Sequence, residues 1–158
     1  MAIGLLTLAL VGTLSLLATV LLGHQAALDV RRHFLLALST TTILVLAHSS
    51  IMFFLIATGV EMKELEARQG WGDSFRRRTV RLKSRVFPPA TLALLLVIAN
   101  FVLGAAAHTR ALPVWAHALL AWATLAACAL ALLREYQALG ENNRLIGEAG
   151  RRRTPETQ

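Results

Sequence analysis

The sequence predicts an all-α integral membrane protein, a four-span antiparallel helix bundle. Two observations predict it. Of 158 residues, 56% are hydrophobic and the mean hydropathy is +0.58, against roughly 45–50% apolar residues in an average soluble domain. The excess is also gathered into four blocks, residues 2–23, 34–60, 86–107 and 112–133, each near the ~20 residues a spanning helix needs. Barrel strands would alternate over about 10 residues. These blocks are continuously apolar, so helices are the spanning form that satisfies the backbone.

The first block carries no charge. It lacks a basic leader and exceeds the roughly 7–15 apolar residues of a signal peptide, so an uncleaved helix is expected. Gly12, Ser15, Thr19 and Gly23 share one face of it. Small residues let helices approach closely in lipid, which predicts that this face meets a neighbour. The second block is interrupted only by His48 and continues through Glu61–Glu66 without a breaker up to Gly70. Residues 61–85 read as a long basic loop, with Gly70 and Gly72 around Trp71, then Arg76–Arg78, Arg81, Lys83 and Arg85. Pro88 and Pro89 are expected at the start of the third helix, where proline costs least. That helix carries Ala93, Asn100 and Gly104 on one face. The fourth carries His117, Ala121, Thr124, Cys128 and Glu135 on one face and runs on toward Gly140. Residues 1–147 form one membrane domain. Residues 148–158 are polar and Arg-rich and read as a disordered tail.

The net charge is +7, but its distribution points to a membrane and not to nucleic acid. Eight of the 16 Lys and Arg residues lie between Lys63 and Arg85, and five lie from Arg134 onward; only Arg31, Arg32 and Arg110 lie at the other edge. The positive-inside rule then places both termini and the middle segment in the cytoplasm of a multi-pass protein of the bacterial-type inner (plasma) membrane. The basic segment suits anionic lipid, at about 1 kcal/mol per basic residue. The one cysteine, Cys128, excludes an intrachain disulfide.

Chemistry rests on the histidines. His24, His33, His108 and His117 come from four helices at one edge of the expected bundle. Neutral imidazole binds Zn, Cu, Fe and Ni, so two of them suit a haem and three or four a metal, with Asp29 as an outer-shell partner. The helical spacings of di-iron and metalloprotease sites are absent. His48 lies deep in the second block, about 22 Å along the helix from His33, and shares a face with Met52. An imidazole there needs a partner or a ligand. Three readings stand. His48 is an axial ligand of a b-type haem, with Cys128 or a second copy of the chain as its counterpart. Or it hydrogen-bonds a quinone, with Ser49 or Ser50 assisting. Or it bonds across helices to Asn100 or Thr124. Glu61, Glu64, Glu66 and Glu135, with Lys63 and Arg134, read as solvated helix ends and salt bridges.

No Ser/His/Asp constellation and no glycine-rich phosphate loop is readable, so soluble-type catalysis has no support. The expectation is a small cofactor-binding membrane subunit linked to haem b or quinone electron transfer. Its cofactor residues would be His48, His33, His117, His108 and Met52. The alternative is a non-catalytic accessory subunit in a homo-oligomer or larger membrane complex. A proton path through His48 and Asn100 is a third reading, weakened by the lack of paired broken helices.

Overall fold

The computed structural model describes residues 1–23, 29–72 and 74–153, and among these it holds four helices and no strand. They are α1 (Ala2–Gly23), α2 (Val30–Gln69), α3 (Ser74–His108) and α4 (Val114–Arg153). All four are long and apolar enough to cross a membrane, and the chain is a multi-pass membrane protein. Each helix packs against its sequence neighbours, and α1 also packs against α4, which closes the ring. Across the centre, α2 touches α4, while α1 and α3 make no contact among the described residues.

The small-residue face of α1 packs on α2. A Cβ on Gly12 would lie 2.8 Å from Leu44 Cδ2. Ser15 Oγ and Thr40 Oγ1 are 2.5 Å apart, and Thr19 Oγ1 is 3.2 Å from the same Thr40 hydroxyl. This register runs antiparallel and sets the start of α1 near residue 54 of α2. With 22 residues, α1 is about 33 Å long, close to the hydrocarbon thickness of a bilayer. With 40 residues each, α2 and α4 reach about 60 Å. The bundle is therefore four helices deep over the length of α1, then continues as three. The end carrying His33, His108 and His117 is here termed the histidine end; the other, carrying most of the arginines, is the basic end.

The three-helix extension lies largely in residues read from the sequence as a loop and a tail. Residues 61–69 continue α2, residues 74–85 begin α3, and α4 is helical through Arg153. Only residues 70–73 separate α2 from α3. Residues 154–158 of the tail lie outside the described residues. The physical reason is an apolar period that the basic charge obscures. In α3, Phe75, Thr79, Leu82, Val86, Ala90, Ala93 and Val97 are all buried, at spacings of three and four that pass straight through the proline pair. Pro88 and Pro89 thus sit inside α3, not at its start. The core runs on into the extension, with Met62, Phe75, Leu82, Leu139, Leu145 and Ala149 all 4% exposed or less.

The tight turn is built by two devices. Gly70 has φ 66° and caps α2, its N–H donating to Glu66 O; only glycine adopts this region freely. The Glu66 carboxylate then accepts from Phe75 N at 2.5 Å and Arg76 N at 3.1 Å. A carboxylate on the first-turn amides of a helix satisfies donors that have no partner within it and complements the helix dipole. Glu66, expected as a solvated helix end, is buried for this reason. Beyond the turn, Arg78 bridges to Glu148 at 2.6 Å, and the Arg152 guanidinium lies 5.1 Å from the Phe75 ring centre.

Candidate functional site

The α4 sequence dictates which groups reach the bundle centre. Ala121, Thr124, Cys128, Ala131, Glu135, Ala138, Asn142, Leu145 and Ala149 are buried and alternate spacings of three and four. This is the seam of a coiled coil. Its alanines let the backbones approach, and its polar members are carried to the centre with them. On α2, Thr40 faces α1, while His48 and Thr58 meet α4. Because α2 and α4 run parallel, these polar groups meet in layers.

The deepest layer is a closed pair. His48 Nδ1 and Glu135 Oε1 are 2.7 Å apart, and both side chains are 0% exposed. Which atom carries the shared proton depends on the imidazole tautomer. His48 Nε2 and Glu135 Oε2 have no hydrogen-bond partner. This corrects two expectations. Glu135 is not a solvated helix end, and the cross-helix partner of His48 is neither Asn100 nor Thr124. Thr124 donates to carbonyls at Leu120 and Leu96, and the Asn100 side-chain oxygen is buried without a partner. Ser49 and Ser50 are half-buried beside His48. Met52 is half-buried and packs against the apolar core. Cys128 is buried as a free thiol one turn-pair from Glu135 on the same helix face.

Toward the basic end, Thr58 Oγ1 donates to Asn142 Oδ1 at 3.0 Å, again α2 to α4, while Asn142 Nδ2 is unpartnered. Toward the histidine end, His33 and His117 form a third layer. They lie on α2 and α4 at the same end of the bundle. Each ring rests on a glycine of a neighbouring helix. A Cβ on Gly23 of α1 would be 3.2 Å from His33 Cε1, and one on Gly104 of α3 would be 3.0 Å from His117 Cε1. Both Nδ1 atoms are buried without a partner. The layer thus takes one residue from each helix: imidazoles on α2 and α4, glycines on α1 and α3.

His108 does not join this layer. His108 is the last residue of α3 and is exposed, because the chain turns away there into Thr109–Pro113. His24 lies outside the described residues. Asp29 is not an outer-shell partner of a histidine: its Oδ1 accepts from Arg32 N at 3.0 Å as the N-cap of α2, and its Oδ2 pairs with Arg32 Nε at 2.8 Å. Among the described residues no group of three or more His, Cys, Asp and Glu could hold a metal ion. The four-histidine metal site therefore has no support there, while a two-histidine layer stands.

Sequence reasoning placed His48, His33 and His117 in the bundle but missed Glu135 and Asn142 as interior groups. The signal for Glu135 was its position on the Thr124–Cys128 face. A comparison with known protein families, with characterised proteins and with solved structures returns no match for this chain.

Proposed function

We propose that the protein is a small membrane subunit for electron transfer that holds a b-type haem between His33 and His117. The observation that carries this reading is the four-helix layer at the histidine end. Two imidazoles from helices facing each other across the bundle are an axial set that haem iron accepts, and bundles hold cofactors between facing helices in this way. The glycines on the other two helices leave room for the two imidazoles, since a Cβ at either position would meet a ring. The haem would supply one-electron chemistry. The chain would supply the two ligands, and through Gly23 and Gly104 the room for them. A quinone contact at His48 is served less well, since His48 and Glu135 are both sealed from the surface.

We further propose that the basic end faces the cytoplasm of a bacterial-type inner membrane, from the charge bias of the sequence. Arg77, Arg81 and Arg85 then stand on the helical extension near anionic headgroups.

The test is an absorption spectrum of the full chain, produced with haem supply and purified in mild detergent. A Soret band is expected, lost in His33→Ala and in His117→Ala and retained in His48→Leu. A colourless wild-type preparation overturns the reading. If that colourless protein copurifies with a larger membrane complex, the accessory-subunit alternative replaces it.

A further inference from the structure

A second site stands apart from the histidine layer, about 22 Å along α2 from His33, and needs no cofactor. We propose that His48 and Glu135 form a proton-binding site inside the membrane bundle, which takes up and releases a single proton at the level of the bundle core.

The inference starts from what else is charged nearby. The 22 residues of α1 contain no ionisable side chain. In α2 the only one between His33 and Glu61 is His48; α3 has none between Arg85 and His108; α4 has only Cys128 between His117 and Arg134. Arg134 and Tyr136, the neighbours of Glu135 in sequence, are exposed on other faces of α4. The net charge of the core is therefore set by the pair alone. With a neutral imidazole against a carboxylate it is −1. With one proton more it is zero, whether the pair is then written as imidazolium and carboxylate or as imidazole and carboxylic acid. A purely structural contact has no use for this freedom, because an apolar pair of similar volume packs as stably or better. It would also leave no polar atom orphaned, since buried polar groups are otherwise satisfied. Here each partner keeps one buried, unpartnered atom, Nε2 and Oε2, and each is a position where the second proton binds.

The step is simple in its balance. A hydronium ion gives its proton to His48 Nε2 or Glu135 Oε2, water leaves, and the pair goes from −1 to zero. The shared Nδ1–Oε1 proton moves within the 2.7 Å contact as the two forms interchange.

The full chain is placed in lipid nanodiscs with 15N-labelled histidine and 13C-labelled glutamate. Ring-nitrogen shifts of His48 and the carboxyl band of Glu135 are followed across roughly pH 3 to 10, a range that brackets ordinary carboxylates and imidazoles. In the wild type, one step is expected at which the His48 nitrogens and a buried carboxyl band change together. The band should be missing in Glu135→Gln, and the step should survive in His33→Ala. The decisive reading is made on the unmodified chain, so a variant that fails to fold does not weaken it. Invariant His48 shifts and an invariant carboxyl band over the whole range overturn the proposal.

Discussion

At the scale of single residues, the His48–Glu135 pair is the interaction whose loss is most asymmetric. Removing one partner leaves the other buried with an unmet charge or hydrogen bond. His48→Leu or Glu135→Leu alone should destabilise the bundle by about 3–5 kcal/mol. The double replacement should recover most of that loss, since two leucines fill the space without leaving a polar orphan. A double-mutant cycle on chemical unfolding in detergent measures this, and additive single effects would show that the two side chains are not coupled. Glu135 also marks where sequence reading stopped short. It follows Arg134 and stands past the last long apolar block, so its charge read as solvated. Its place on the seam with Thr124 and Cys128 was legible. The height of α4 against α2, which sets Glu135 level with His48, was not, because one helix carries no information about its neighbour's offset.

At the scale of elements, glycines separate packing from mere tolerance. Gly12 is pressed against Leu44 and Ile43 of α2, whereas Gly4, Gly140 and Gly147 have nothing within 4 Å of a built Cβ. Gly12→Ala should therefore cost about 1–3 kcal/mol through overpacking, because Leu44 is itself fully buried. Gly140→Ala and Gly147→Ala should each stabilise α4 by about 0.5–1 kcal/mol, the helix penalty of glycine. Thermal unfolding of the three variants sorts them, and equal effects at Gly12 and Gly140 would contradict the close α1–α2 contact. The α1 face was readable from small-residue spacing alone. The basic extension was not, although its period of buried residues is in the sequence: eight basic residues in 23 positions from Lys63 to Arg85 mimic a loop, and the apolar positions between them are few.

At the scale of the whole molecule, the three-helix extension is tied by charges outside the membrane. Hydrogen bonding to Arg78, aided by the nearby charges of Arg151 and Arg152, holds the Glu148 carboxyl below its ordinary value of 4.5. A carboxylate with a lowered folded pKa adds stability above its unfolded value, and that stability is lost as pH falls through the folded value. Wild type should thus be slightly more stable than Glu148→Gln at neutral pH. The difference should shrink as pH falls below the ordinary value of 4.5 and vanish in stronger acid. Chemical unfolding at stepped pH reads it, and high salt should reduce it, as for any exposed pair. A difference that grows toward acid would reverse the sign and exclude the bridge as its source.

The sequence by itself determined the class, the number of spans and which side chains are costly to bury, because a bilayer imposes length and hydropathy on each helix separately. It also determined that His33, His48 and His117 lie in helices at defined depths. Only the tertiary structure decided which groups meet. It set His48 against Glu135, His33 and His117 each on a glycine of a neighbouring helix, and the Glu66 carboxylate on the first turn of α3, and it left His108 at the surface. Those outcomes depend on the relative heights and rotations of packed helices, which follow from the fit of all four together and are not written in any one of them.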